Sequence, residues 1–220
     1  MNPSLTLAAL ALLAATSFCS GDDIKNLADK FPGPAISYVK VSADTGVSAG
    51  ARKDKNFGRS GIVEVKDSDD TPESGALLQR VFLKFDLTGL KAENAKAIYL
   101  AVFGNLGDGN KPVEVEVRAI DHKDDAWNEY DVTWNKQPQA VPGNPLATIV
   151  FTFGNTPTRK TEGRWYLSQD IADSIRKLTQ SGYTSANYVL TTKIREEACI
   201  FTKEHEQGNE LSPRLVVIPR

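Results

Sequence analysis

The sequence predicts an all-β protein, a β-sandwich of jelly-roll type with one short helix, preceded by a signal peptide. Three observations predict it. Short segments of alternating apolar and polar residues recur from residue 36 to the end, separated by Gly, Asn, Asp and Pro clusters. A single segment, 170–182, carries helical spacing. Residues 1–20 carry no charged side chain.

Residues 5–15 are almost wholly apolar. The run is too short to span a bilayer as a stable helix and sits where a secretory h-region belongs. Small residues at Ala15, Thr16 and Ser17 place the start of the mature chain between Phe18 and Gly21, with cleavage after Ser17 or after Cys19. A lipid anchor on Cys19 is disfavoured, because Phe18 stands where a small residue is wanted. Residues 21–34 read as a polar linker with one weak helical turn, closed by the breaker Phe31-Pro32-Gly33-Pro34. Residues 35–220 then form one β-domain.

Its strands follow in order. ISYVKV (36–41) alternates, and GIVEVKD (61–67) sends Val63 and Val65 one way and Ile62, Glu64 and Lys66 the other. RVFLKFDL (80–87) sets Val81, Leu83, Phe85 and Leu87 against Arg80, Phe82, Lys84 and Asp86. AIYLAVFG (97–104) is nearly all apolar, so both its faces should be buried. PVEVEVRAI (112–120) is the cleanest half-buried strand, with Val113, Val115, Val117 and Ala119 inward. LATIVFTFG, RWYLSQDI, NYVLTTKI, ACIFTKE and PRLVVIP bring the total to about ten strands. In the 170–182 helix Asp170 is the expected N-cap, Ile171, Ile175 and Leu178 form the stripe, and Gly182 is the stop. KDSDDTPES (66–74) reads as a solvated surface insertion.

Composition excludes several functions. Lys and Arg number 26 against 28 Asp and Glu, so the basic excess of a nucleic-acid binder is missing. With two cysteines, Cys19 and Cys199, there is no disulfide framework, and Cys199 in ACIFTKE reads as a small buried core hydrophobe. His122 and His205 are the only histidines and no zinc spacing occurs. Nothing in the sequence sets the oligomeric state.

Residues 126–138, AWNEYDVTWNKQP, hold two of the three tryptophans, Trp127 and Trp134, in a segment poor in helix formers and closed by Pro138. This segment, preceded by VFLKFDL and followed by the terminal SPRLVVIPR, resembles the DNRLRE family of secreted β-sandwich modules, also classified as carbohydrate-binding module family 96. The resemblance runs from about Val41 to Arg220. Trp127, Glu129, Thr133, Trp134 and Asn135 match the family's pattern. So do the turn Asn56-Phe57-Gly58, Asp44 near the domain's start and Glu204 after the ACIF strand. The resemblance implies the same sandwich fold and a non-catalytic module whose ligands include acidic polysaccharides such as alginate. A structural calcium near the edge that carries Asp44 is the one cofactor it admits, although no ligand spacing in the sequence supports it.

A glycan site needs rings to stack on sugars and fixed polar groups to read hydroxyls and carboxylates. Arg80, Phe82 and Lys84 stand in a row on the outward face of their strand, with about 6–7 Å between alternate residues. Two cations flanking a ring suit an acidic chain, and the same pattern is what a plain solvent-facing strand shows. The loop 51–60 adds Arg52, Lys55 and Arg59, and the basic stretch 158–165 adds Arg164 beside Trp165. Asn56, Phe57 and Gly58 read as architecture. Trp134 and Trp127 read as clamps that bury their indoles. The expected function is therefore a secreted, extracellular, non-catalytic polysaccharide binder. The alternatives are a structural or adhesive β-sandwich without a glycan ligand, and a lyase. For a lyase His205, Tyr188 and Arg214 would have to converge, and nothing in their spacing brings them together.

Overall fold

The computed structural model describes residues 27–31, 36–67, 78–107, 111–152 and 163–220. The signal peptide, Cys19, most of the 66–74 insertion and the basic stretch up to residue 162 lie outside the described residues. Ten strands carry the fold: β1 (Ser37–Ser48), β2 (Ile62–Val65), β3 (Gln79–Asp86), β4 (Ala95–Leu106), β5 (Val113–Ala119), β6 (Ala147–Phe151), β7 (Arg164–Asp170), β8 (Ser185–Thr191), β9 (Ala198–Phe201) and β10 (Arg214–Pro219). Among the described residues three α-helical segments accompany them, besides short 3-10 turns: α1 (Leu27–Lys30), α2 (Ala172–Gln180) and α3 (Gly208–Leu211).

Every pairing is antiparallel, and the order β10-β1-β3-β8-β5-β6-β7-β4 closes because β4 also pairs with β10. Strands β9 and β2 extend from β4. The all-β expectation holds. What the hydrogen bonds draw is a closed, barrel-like ring of eight strands rather than two separate open-edged sheets. β1 explains how: Ser37–Lys40 pair with β10, the register shifts between Val41 and Ala43, and the remainder pairs with β3. Such a bulge turns a strand from one half of a sheet into the other. The ladder is thinnest where β6 meets β7, through the single pair Ile149 and Ser168. Closure leaves the β6–β7 seam as the place in the ring where strand edges are least paired.

The main core fills the ring. It takes the side of β3 that carries Val81, Leu83 and Phe85, the valines of β5, and Val63 and Val65 of β2, as the alternation predicts. β4 is buried along most of both faces. Ala119 is only half-buried, because β5 ends by turning Ile120 into a different apolar cluster. Cys199 is half-buried on β9, its Sγ 3.8 Å from Glu197 Oε1, and so stands at the margin of the core rather than in it.

α2 buries Ile171 and Ile175 and packs Leu178 against the core. Gly182, at φ +81°, ends it with a backbone shape that side-chain-bearing residues rarely adopt. Asp170 is the last residue of β7 rather than the cap itself. Its Oδ1 accepts from Ala172 N and from Ile98 N, each at 2.9 Å, so one carboxylate starts the helix and ties it to β4.

A second apolar cluster lies on the outer side of β4, β7 and β10, around Phe103, Trp165 and Val216. α1 covers part of it. Leu27 is buried there and Phe31 stacks on Tyr99 at 5.6 Å. The helical turn expected in the linker is present, and residues 27–31 are docked on the domain. The Leu27→Ala/Phe31→Ala double variant is therefore expected to lose about 3 kcal/mol of stability in urea unfolding. An unchanged midpoint would show that this segment contributes nothing to the fold.

Candidate functional site

The third apolar cluster decides which surfaces remain for a ligand. On the outer side of β3, Phe82 is fully buried among Val47, Ile120, Val132 and Val189. Residues 126–138 lie across this face as a roof. Trp127 meets Phe82 edge-on with centroids 6.3 Å apart, and its Nε1 donates to Asn187 Oδ1 at 3.0 Å. Trp134 and Val132 close the other end.

The expectation that Arg80, Phe82 and Lys84 form an open row is thereby corrected. Their alternation holds, since all three point away from the main core, but the face they share is covered. Lys84 Nζ donates to the carbonyls of Asp125 and Trp127, each at 2.7 Å, and lies 4.7 Å from the Trp127 ring. Arg80 sits 4.7 Å over Trp134 and donates to Gln137 Oε1 at 3.1 Å. Burial lowers both pKa values, opposed at Lys84 by Asp125 and Glu129 and at Arg80 by Asp67. The two cations tie the roof to the strand. The signal that could have shown this was present in the roof itself: two indoles and a valine in a polar loop have to be buried against something.

The loop 51–60 docks beside the roof. Asn56 Nδ2 donates to the carbonyls of Glu129 and Val132, each at 2.7 Å, and Asn56 Oδ1 accepts from Gly58 N at 3.0 Å. A Cβ on Gly58 would stand 2.3 Å from Glu129 O, so only glycine fits. Asn56-Phe57-Gly58 is architecture, as expected. Asn135 binds this loop rather than its own backbone, donating from Nδ2 to Asp54 Oδ1 at 2.7 Å. That leaves the cations outward: Arg52, Lys53, Lys55 and Arg59 are exposed. Lys55 Nζ is 5.0 Å from the Phe57 ring, and Arg59 lies 5.3 Å over the exposed Tyr130.

Between this loop and β2 opens a shallow cleft of about 140 Å³. Arg52, Phe57 and Ser60 form its loop wall, the exposed Ile62 its rim, and Glu64 with Gln79 its polar end. Gln79 Nε2 donates to Glu64 Oε2 at 2.7 Å. The structure thus brings Arg52 together with Lys55 and Arg59 on one loop. Arg164 does not join them. It opens β7 opposite Gly104 and is not part of the cleft wall.

Asp44 is buried and meets two other acids. Carboxylate oxygens of Asp44, Glu129 and Glu204 lie within 4.8 Å of one another. Glu129 Oε2 accepts from Asp44 N at 3.1 Å, and Asp44 Oδ2 accepts from Lys203 N at 2.9 Å. Lys203 Nζ donates to Glu129 Oε1 at 2.8 Å and also to Glu204 Oε1. Burial works to lower the pKa of this ammonium, and its bonds to Glu129 and Glu204 outweigh that and raise it. These residues do not fit the calcium expected at Asp44. An ammonium already bridges two of the carboxylates, and the buried oxygens without a partner are two, Asp44 Oδ1 and Glu204 Oε2, where calcium takes about six to eight oxygens.

The residues a lyase would need are separated. Tyr188 is fully buried in the main core, and that burial raises its pKa. His205 stacks on Phe201 at 4.3 Å, and Arg214 lies between Tyr38 and Trp165 on the outer face of the ring. Among the described residues no helix is long and apolar enough to cross a membrane.

A family model for carbohydrate-binding module family 96 matches residues 35–219. No curated protein matches the chain.

Proposed function

Because the chain belongs to carbohydrate-binding module family 96, we propose that it is a secreted, non-catalytic module that takes an acidic polysaccharide in the cleft beside the 51–60 loop. The observation that carries this reading is the cleft wall itself, where an exposed guanidinium, Arg52, stands beside the half-buried ring of Phe57. A sugar ring offers an apolar face to an aromatic side chain, and a uronate carboxylate pairs with arginine bidentately. Glu64 already accepts from Gln79 and retains acceptor capacity for a sugar hydroxyl. Lys55 and Arg59 extend the positive edge beyond one sugar unit. The uncharged apolar leader supports export, and the separation of Tyr188 from His205 and Arg214 supports a module without a reaction centre.

Each exposed cation–carboxylate contact contributes about 0.2–1 kcal/mol and weakens with salt. The Arg52→Ala/Lys55→Ala variant is therefore expected to bind a polyuronate about tenfold less tightly at low ionic strength, with a smaller difference at high ionic strength. Calorimetric titration of a polyuronate and a neutral glucan at two ionic strengths measures this. Circular dichroism checks that the variant keeps its fold. Equal affinity for the neutral chain would remove the acidic preference, and an unaffected double variant would remove the cleft. Arg80→Ala/Lys84→Ala is expected to lower stability and leave the salt dependence of binding in place.

A further inference from the structure

Asp44 Oδ1 and Glu204 Oε2 are both buried and have no partner among the donors of the described residues. Asp44 is 1% exposed, and its side chain meets that of Glu204 within the acid cluster. Carboxylate oxygens of the two side chains lie within 4.8 Å of each other; two ionised carboxylates cannot hydrogen-bond, whereas one proton on the pair supplies the donor that both unpartnered oxygens lack. We infer that Asp44 and Glu204 share one proton, and that this proton latches the turn after β9 onto β1 and thereby holds the wall of the cleft.

The groups facing the pair are few. Glu129 and Tyr130 come from the roof, Lys203 from the turn itself, and Lys84 of β3 interacts with Glu129 from the far side. With the proton in place, two negative charges face the Lys203 ammonium. Without it there are three, around a carboxylate that water does not reach. Burial first, and then the contact with Glu204, push Asp44 up to about 8, against the pull of Lys203. The cleft hangs on the same turn. Thr202 Oγ1 donates to the Ser60 carbonyl at 2.6 Å and Thr202 N donates to Gly61 O at 3.1 Å. The Glu129 carbonyl receives Asn56 at 2.7 Å. Loss of the proton therefore loosens the segment that carries Phe57 and Ser60.

The folded-state pKa of Asp44 is raised above the unfolded value, so its contribution to stability is fully present below about pH 4 and is lost as pH rises towards 8. Through that window the unfolding constant attributable to this pair rises by up to about tenfold per pH unit, and above it the dependence flattens. The experiment is urea unfolding from pH 4 to 9 for wild type, Asp44→Asn and Glu204→Gln. Each amide replaces one acid by a neutral group that still donates between the two side chains. The expected result is that Asp44→Asn loses this component of the pH dependence and that Glu204→Gln, which keeps Asp44 buried but sets an amide donor against it, shows a reduced one. If one fails to fold, the other carries the test. A variant slope equal to that of wild type would overturn the shared proton. So would calcium chloride at pH 8.5 stabilising wild type and neither variant, since a cation would then be the occupant. The effect on the cleft rests on the carbohydrate reading, so polyuronate affinity is measured separately at pH 6 and pH 9. Wild type is expected to weaken and Asp44→Asn to hold. No polysaccharide binding at either pH would defeat the carbohydrate reading and leave the unfolding result standing.

Discussion

Phe82→Ala is expected to cost about 3–5 kcal/mol of stability, among the largest effects of a single truncation in this chain. The ring is fully buried and is the floor on which the 126–138 roof rests. Removing it leaves a cavity bounded by Trp127, Val132, Val47 and Val189, and takes from the roof the largest apolar side chain beneath it. The polar ties then carry more of the roof: Lys84 and Arg80 through the Asp125 and Trp127 carbonyls and Gln137, and Asn56 through the Glu129 and Val132 carbonyls. Urea unfolding followed by tryptophan fluorescence measures the loss, and near-ultraviolet dichroism should show Trp127 and Trp134 losing their fixed surroundings. Phe82→Leu keeps most of the volume and is expected to cost about 1.5 kcal/mol. A Phe82→Ala protein with unchanged stability and reduced polysaccharide affinity would return this ring to the surface and make it a stacking platform after all.

The same strand shows how far the sequence could be read. Its alternation separates Val81, Leu83 and Phe85 from Arg80, Phe82 and Lys84 correctly, because a strand's period is local. What covers the second set comes from residues about forty to sixty positions away along the chain, and nothing in the strand's own pattern records that docking. A cation row on a strand looks alike whether water or a loop lies above it. The bulge in β1 is equally silent in sequence, so the closure of the ring is not legible there, while the buried β4 and the α2 stripe are. Asp44, Glu129 and Glu204 each stand out singly in the sequence, but Lys203, which binds two of them, carries no signal: an ordinary lysine after a strand becomes a half-buried counter-charge only when three distant segments meet.

Lys203→Met should therefore be severe for a residue that looks peripheral in sequence. Its ammonium bridges Glu129, whose side chain is 7% exposed, and Glu204, at 19%. Methionine keeps the apolar stem and removes the charge, leaving the acids without their cation. Breaking a buried pair from one side costs about 3–5 kcal/mol, and the partial exposure of Lys203 puts this case near the lower figure, about 3 kcal/mol at neutral pH. The sign with pH follows from the acids left behind. Without the ammonium the acid cluster has no counter-charge, so its ionisation is opposed in the folded state and the variant loses stability as pH climbs above the carboxylate range. The gap to wild type should widen across that range. Lys203→Met/Glu129→Gln is expected to recover most of the loss, because glutamine still accepts from Asp44 N and no longer needs a counter-charge. Urea unfolding of both single variants and the double variant measures the coupling directly. Strictly additive losses would mean that Lys203 acts through packing of its stem and that the acid cluster is held together by other contacts.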